Sequence, residues 1–159
     1  MEKENRIRKL AKSSLHMKLF MMSNLPMAFL AGLKVVDIDQ TKASVSVPYK
    51  CLNKNPFKSI YFAVLSMAAE LATGILAMAA TRDFKVPISM LVFEMKASFE
   101  KKARTKITFK CTEGEHISAA VAKSIETGEG QTAEISSIGY DTEGDVVAKF
   151  KFVWTFKPK

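Results

Sequence analysis

The sequence predicts an α+β fold in which a curled antiparallel sheet wraps around one long central helix, with an extra helix at the N-terminus. Two observations predict it. The run from Ser59 to Thr81 is almost entirely apolar and too long for a single strand. Most of the remaining chain alternates apolar and polar residues with the two-residue period of half-buried strands. Since nothing else in the chain is large enough to cover the apolar helix, the sheet must curl around it.

The N-terminal residues predict a basic amphipathic helix. Apolar side chains at Ile7, Leu10, Leu15 and Leu19 are separated by arginines and lysines over residues 4–22, and Pro26 is expected to end the segment. Two roles are open for this helix: it covers an exposed edge of the domain, or it binds a membrane surface or an acidic partner. We interpret residues 1–159 as a single domain, with 1–26 as this helix and a linker.

Strands fill most of the remaining sequence. A hairpin is predicted over residues 32–50, and four further strands are predicted at Val86–Phe99, Lys106–Thr112, Thr132–Tyr140 and Asp145–Phe156. A short helix between the second and third of these four is indicated by apolar residues repeating every four positions. The capping-box spacing of Thr112 and Glu115 predicts its start, and Gly128 its end.

Composition limits the functional classes. The net charge of +8 favours an anionic partner, which could be a phosphate-bearing ligand, a membrane surface or nucleic acid. Cys51 and Cys111 show neither disulfide nor metal-site spacing, so we expect no metal and a reducing, cytoplasmic location. A carboxylate at the midpoint of the apolar run argues against stable membrane insertion. No DNA-binding domain fits before Met27, so no nucleic-acid partner is expected.

That carboxylate, Glu70, is the most informative residue. It is the only charged side chain between Lys58 and Arg82. At about 100° per residue it shares a narrow helical face with other small or polar residues. This polar seam consists of Ser59, Ala63, Ser66, Glu70, Thr73 and Ala77. Two interpretations stand: Glu70 is a buried acid satisfied by Ser66, Thr73 or a second copy of the chain, or it is a catalytic base.

The sequence around the helix start resembles a known family. The segment NPFKSIYFAVLSMAAELATG is similar to the helix-start motif of hotdog-fold thioesterases of the phenylacetate-degradation type. In that motif, Asn and then Gly-Thr-x-His-Gly-Gly lead to an acid on the helix. VPISMLVFEMKASFEKKART resembles the strand that follows. The similarity covers the chain from about Met27 onward and is closest to an uncharacterised bacterial branch, a domain of unknown function.

The resemblance implies hydrolysis of an acyl thioester, usually acyl-coenzyme A, at a homodimer interface. A backbone N–H at the helix start would polarise the thioester carbonyl, and a carboxylate on the partner's helix would act as general base or nucleophile. Coenzyme A is part of the substrate, and no separate cofactor is required. Whether dimers pair into tetramers, and which acyl group is bound, stay open.

Carried over residue by residue, the motif's acid falls on Glu70 and its Asn on Asn55. Its His and the first following Gly become Tyr61 and Phe62, and we expect the Phe62 N–H to be the oxyanion donor. The earlier Gly-Thr becomes Lys58-Ser59. Because Lys58, Tyr61 and Phe62 replace Gly, His and Gly, a second function is open: a non-catalytic acyl-CoA or lipid-binding protein.

The remaining candidate residues would bind substrate. The seam residues are expected along the acyl thioester, and a cluster of cations after the long strand is expected to hold the phosphates of coenzyme A. These residues are Ser59, Ala63, Ser66 and Thr73, with Lys96, Lys101, Lys102 and Arg104 for the phosphates. Simpler interpretations are also open: Asn55 or Ser59 as an ordinary N-cap, Tyr61 as a core aromatic, and the cations as a solvated turn.

Overall fold

The computed structural model describes residues 5–84 and 86–159, so position 4 of the expected N-terminal helix lies outside the described residues. Six antiparallel strands form one sheet in the order β1-β2-β4-β5-β6-β3. The strands are β1 Lys34–Ile38, β2 Ala43–Val47, β3 Ile88–Phe99, β4 Ile107–Cys111, β5 Gln131–Tyr140 and β6 Val146–Pro158. The helices are α1 Arg6–Lys12, α2 Ser14–Asn24, α3 Pro26–Ala31, α4 Phe62–Asp83 and α5 Gly114–Thr127.

Helix α4 is the central helix that the sequence predicts, and the sheet curls around it. Alternate residues of the strands face α4, which is why the inward positions of β6 are aromatic. Phe150, Phe152 and Phe156 from β6 are almost completely buried, together with Phe109 from β4. The predicted fold class is therefore confirmed. Both cysteines are free, Cys51 exposed and Cys111 buried.

The N-terminal region differs from the single helix predicted over residues 4–22. Two helices lie there, because Ser13 has an extended backbone (φ −93°, ψ 108°) that breaks the helical path between α1 and α2. Pro26 does not end the segment; it begins α3 at a position where proline's missing N–H costs nothing. The break lets α1 bind the C-terminal end of α4, through Arg8 Nη2 to Asp83 Oδ2 at 2.6 Å. Met17 and Phe20 of α2 line a cavity together with residues from the middle of α4.

The start of α5 also differs from the prediction. Glu113, rather than Thr112, is the N-cap residue, and no capping-box hydrogen bond forms. The Glu113 side chain instead accepts a hydrogen bond from the Ser136 N–H on β5 (2.8 Å), so it ties the helix to the sheet. Gly114 follows because the turn at Gln40 and Thr41 packs directly on its Cα, leaving no room for a side chain. Tertiary contact therefore overrides the local capping pattern.

Helix α4 is long and apolar enough to cross a membrane by length and composition alone, yet most of that apolar stretch is buried inside the fold. Residues 71–77 are all buried. Helix α4 therefore contributes its apolar residues to the core of the fold.

Two surfaces are left open on one side of the domain. Strand β3 is a 12-residue edge strand that, among the described strands, pairs with β6 alone, and its side chains are mostly exposed. Leu91 and Phe93 are 64% and 71% exposed. The first half of α4 beside it presents an incompletely buried stripe, which we call the open stripe. It consists of Phe62, Ala63, Ser66, Met67 and Glu70.

Candidate active site

A cavity of 560 Å³ lies at the N-terminus of α4. Its walls are the loop from Asn55 to Tyr61, the first turn of the helix, and residues 99–103 after β3. The structure thus brings the predicted motif residues Asn55, Ser59, Tyr61 and Phe62 to one site, which also includes Lys101 and Lys102 from the predicted cation cluster. These side chains and helix N–H groups face a space large enough for part of a coenzyme-sized ligand.

Asn55 holds the loop that leads into α4. Its Oδ1 accepts hydrogen bonds from the Phe57 N–H (3.0 Å), the Ser59 N–H (3.2 Å) and the Ser59 hydroxyl (3.1 Å). The helix begins seven positions later, at Phe62, with Tyr61 as the N-cap residue. The simpler interpretation of Asn55 or Ser59 as the N-cap is therefore wrong. Asn55 is a loop-organising residue, and Ser59 is its buried partner.

The backbone at Lys58 has a conformation that favours glycine, the residue that the resembling motif has at this position. Its φ is +58°, and it is the only non-glycine residue with positive φ in the part of the chain that the structure describes. Glycine adopts this left-handed conformation without strain, whereas other residues pay about 1–2 kcal/mol. Lys58 therefore holds, under strain, a backbone conformation that glycine adopts freely.

This geometry gives a stability prediction. Lys58→Gly should raise the free energy of unfolding by up to about 1 kcal/mol, because relief of left-handed strain exceeds the added flexibility of the unfolded chain. The melting temperature should then rise by about 2–4 °C. Lys54→Gly is the matched control: Lys54 has an ordinary φ of −78°, so glycine there should lower stability. A lower melting temperature for Lys58→Gly would contradict the strain.

The N–H groups of Phe62 and Ala63 point out of the start of α4. Neither donates to any described protein atom, whereas the next two, from Val64 and Leu65, both bond to the Tyr61 carbonyl oxygen. Unpaired donors at the positive end of a helix dipole suit a developing oxyanion. The Phe62 ring lies edge-on to the rings of Tyr61 (centroids 4.9 Å apart) and Phe99 (6.4 Å), and is 53% exposed at the cavity wall.

Glu70 lies on the open stripe, two turns further along α4. It lies eight positions after Phe62, which is about 12 Å along the helix axis. Its carboxylate turns further away: an added Cβ on Gly74 would lie 2.9 Å from Glu70 Oε1 and 3.3 Å from the Trp154 ring. One carbonyl group therefore cannot contact the Phe62 N–H and the Glu70 carboxylate of the same chain.

The surroundings of Glu70 are apolar. Burial raises the pKa of its carboxyl group. Among the described residues the carboxylate has neither a hydrogen bond nor an ion pair. The Ser66 hydroxyl donates to the Phe62 carbonyl oxygen (2.9 Å), and that of Thr73 donates to the Glu70 carbonyl oxygen (2.9 Å). The interpretation of Glu70 as an acid satisfied by Ser66 or Thr73 is therefore wrong within the chain.

Thr73 does not face a ligand as predicted. It is completely buried, and its hydroxyl accepts a hydrogen bond from Trp154 Nε1 at 3.0 Å. Thr73 therefore links α4 to β6 instead of binding substrate. No local pattern indicates this link, because Thr73 and Trp154 are 81 positions apart.

The predicted phosphate-binding cations differ among themselves. Lys101 Nζ contacts Asp141 and Asp145 at 2.7 Å each, and hydrogen bonds to these carboxylates raise its pKa. It holds the β5–β6 turn and is not a free cation, contrary to the prediction. Lys96 pairs with Glu94 at 3.2 Å and lies outside the cavity.

Two cations stay available near the cavity. Lys102 lines both the helix-start cavity and an adjoining one of 350 Å³, which also includes Arg104. Neither Lys102 nor Arg104 pairs with a carboxylate in the described parts of the chain. Lys102 and Arg104 could therefore contact anionic groups of a ligand that extends from the helix-start cavity.

Glu70 borders two other cavities, between α4 and the N-terminal helices. The outer one has a volume of 250 Å³ and the inner one 100 Å³, and both are lined by Leu25, Glu70 and Leu71. The sequence did not indicate this, because the break at Ser13 that lays α2 over α4 has no clear local signal.

Solved structures share this fold. A protein of unknown function from Pseudomonas aeruginosa, described as a probable thioesterase, has a TM-score of 0.76 at 19% identity, over 91% of this chain and 96% of that one. A protein of unknown function from Chlorobaculum tepidum has a TM-score of 0.78 at 17% identity, over 92% and 94%. A thioesterase from Haemophilus influenzae has a TM-score of 0.66 at 12% identity, over 92% and 91%.

These likenesses show the hotdog fold, a curled sheet around a central helix. No curated protein matches the sequence significantly. The family model described as a domain of unknown function, DUF4442, matches residues 14–156. These residues include α2, the loop from Asn55 to Tyr61, α4 and nearly the whole sheet. The chain therefore belongs to the DUF4442 family.

Proposed function

We propose that the protein is an acyl-CoA thioesterase whose active site forms between two copies of the chain. The observation that supports the proposal is that two groups needed for catalysis, a hydrogen-bond donor and a carboxylate, lie apart on the same open surface. The start of α4 has unpaired N–H donors beside a 560 Å³ cavity, and the same helix holds an unpartnered, half-buried carboxylate about 12 Å away. The thioesterase descriptions of structural neighbours support the reaction class.

A homodimer would bring the halves together. In a two-fold dimer each surface contacts its own counterpart, so a β3–β3 contact would lay the two open stripes side by side in opposite directions. Strand β3 suits this role because it is long, exposed and apolar, the type of edge that soluble proteins otherwise protect. The Phe62 N–H of one copy would then approach the Glu70 carboxylate of the other.

The reaction uses few groups. Glu70 takes a proton from a water molecule whose oxygen attacks the thioester carbonyl carbon, and the Phe62 N–H donates to the resulting oxyanion. The carbon–sulfur bond then breaks, and the leaving thiolate takes the proton from Glu70. The products are a carboxylic acid and the free thiol of coenzyme A. Burial suits Glu70 to this role because its raised pKa makes it a stronger base while ionised.

The phosphates of coenzyme A would lie toward Lys102 and Arg104. Both side chains lie at or next to the cavity that begins at the Phe62 N–H, and neither is held by a carboxylate among the described residues. The proposal needs no metal or separate cofactor, no nucleic-acid partner and no membrane insertion, and it assumes a cytoplasmic protein.

A second candidate function is acyl-CoA binding without turnover. The observation that favours it is the Phe62 ring, which is 53% exposed at the cavity where the resembling motif has glycine. A large side chain beside the oxyanion donor would hinder close approach of the thioester carbonyl.

A hydrolysis panel separates the two functions. We expect purified protein to release coenzyme A thiol from at least one member of a set of short, long and aromatic acyl-CoAs, in proportion to enzyme concentration. Bound acyl-CoA should be quantified in the same samples by mass spectrometry. Tight retention of intact acyl-CoA without thiol release would overturn the proposal of thioesterase activity and support acyl-CoA binding without turnover.

A further inference from the structure

We infer that the cavities between α4 and the N-terminal helices form the pocket for an unbranched aliphatic acyl chain, and that α1 and α2 set its length. This inference rests on the proposed function, because it assigns the acyl end of the same substrate. It also goes beyond it: neither the resemblance nor the family match gives these helices a role, and α1 precedes the matched residues.

The lining of the inner cavity suits a hydrocarbon chain. Its wall is apolar except for Glu70 at one end and the Trp154 indole. The N-terminal helices contribute Leu10, Met17 and Phe20 to the roof, while Met78 and Trp154 form part of the opposite wall. An apolar chain loses no hydrogen bonds on entering such a space, whereas a polar or charged group would be left unpaired. Flexible methionine side chains can adjust to a chain inserted between them.

The shape of the space suits a chain that begins at the reacting carbonyl. On α4 the inner cavity is lined by residues 70, 71, 74, 75 and 78, so it follows the helix for about 12 Å from Glu70. Glu70 lines both cavities, so the outer and inner cavities adjoin at its side chain. A thioester whose carbonyl lies at the opening of the outer cavity, beside Glu70, can place its acyl chain through the outer cavity and then along the helix, away from the coenzyme.

The volumes indicate a medium chain. At about 30 Å³ per non-hydrogen atom, the volume of one water molecule, the inner cavity of 100 Å³ holds about three carbons and the outer one of 250 Å³ about eight. A chain of roughly four to ten carbons would fill this space. Aromatic acyl groups fit the inner cavity poorly, because six ring carbons need about 180 Å³ on the same scale and the inner cavity has 100 Å³.

Helix α1, which covers part of the inner cavity, is attached to the C-terminal end of α4. Arg8 on α1 donates to both carboxylate oxygens of Asp83, and Asn5 Nδ2 donates to Asp83 Oδ1 (2.6 Å) and to the Ala79 carbonyl oxygen (2.8 Å). Ile7 and Leu10 of this attached helix line the inner cavity, so α1 limits how far an acyl chain can extend along α4.

Trp154 allows binding to be measured without catalysis. It is the only tryptophan in the chain, is 4% exposed and lines the inner cavity. The probes are S-ethyl-, S-hexyl- and S-decyl-coenzyme A, whose thioether bond cannot be hydrolysed. We expect the longer two to shift Trp154 emission and S-ethyl-coenzyme A to leave it unchanged, with affinity rising about fourfold per added methylene until the pocket is full.

A pair of variants tests the location. Met78→Phe places a rigid ring in the inner cavity. It should lower the affinity for S-decyl-coenzyme A by about tenfold or more, a loss equal to that of fewer than two buried methylenes. The affinity for S-ethyl-coenzyme A should stay unchanged. Leu19→Phe is the control, because Leu19 on α2 is 51% exposed and lines neither cavity.

The outcomes separate this inference from the proposed function. Identical Trp154 emission with all three probes, or an equal loss of affinity for all three in Met78→Phe, would show that the acyl chain does not bind in these cavities, even if acyl-CoA is hydrolysed. A chain-length-dependent shift without any hydrolysis would support the pocket and count against the thioesterase. If Met78→Phe does not fold, the emission series on the unchanged protein still decides.

Discussion

Glu70→Gln is expected to lower acyl-CoA hydrolysis by about 10²–10⁴-fold while leaving the fold intact, the range that positioned general bases contribute. Glutamine has nearly the same shape as glutamate but cannot take a proton from water. Since the carboxylate makes no hydrogen bond or ion pair with any described residue, the change breaks no such contact within the chain. The rate of thiol release is the measurement, with circular dichroism to confirm folding.

Glu126→Gln is the matched control for this experiment. Glu126 is an exposed residue of α5 that lines none of the cavities described above, so its substitution removes the same charge without touching the site. Activity near wild type in Glu70→Gln, together with activity near wild type in Glu126→Gln, would show that Glu70 is not the base.

The same variant should change how stability depends on pH. Burial raises the pKa of Glu70, so the folded state holds this proton to higher pH than the unfolded chain does. Glu70 therefore favours folding most below its unfolded pKa, and that contribution is lost as pH rises through the folded pKa. Glu70→Gln should be more stable than wild type at neutral pH, with the difference shrinking as pH falls toward 4.5, the unperturbed value. Urea unfolding at several pH values measures it.

Phe62→Pro is expected to lower kcat by about 10²–10³-fold, the loss seen when one oxyanion donor is removed. Proline lacks the N–H, yet it is well tolerated at the first position of a helix. The preceding residue, Tyr61, already has the extended backbone that proline requires (φ −61°, ψ 134°). The substitution therefore deletes the proposed donor with little effect on the helix.

Phe62→Ala is the comparison that separates the donor from the ring. It removes the side chain at the cavity wall and keeps the N–H. We expect kcat of the alanine variant to exceed that of the proline variant by about 10²-fold, with similar melting temperatures. Equal kcat values in the two variants would assign the effect to the ring and exclude the N–H as the donor.

The parts of the fold that could be predicted are those set by periodic patterns. Helix α4 follows from its apolar run, and β6 from the alternation that buries Phe150, Phe152 and Phe156. The break at Ser13 could not be predicted, because an extended serine between two helical patterns has no strong local cause. It depends on where α1 and α2 meet α4.

The candidate site follows the same division. The resemblance placed Asn55 and Phe62 together, and the structure brings them to one cavity. It did not indicate that Lys101 is engaged by Asp141 and Asp145, about 40 positions away. Ion pairs and the Thr73–Trp154 hydrogen bond depend on which turns and strands become neighbours in the folded chain, which no single segment of the sequence specifies.

In the proposed dimer each active site takes its donor from one chain and its carboxylate from the other, because about 12 Å of helix separates Phe62 from Glu70. Mixed dimers of Glu70→Gln and Phe62→Pro, isolated with two different affinity tags, distinguish a shared site from one within a single chain. One of their two sites would combine an intact Phe62 N–H with an intact Glu70, so we predict about half of wild-type activity from two inactive parents. Mixed dimers as inactive as either parent would contradict a shared site.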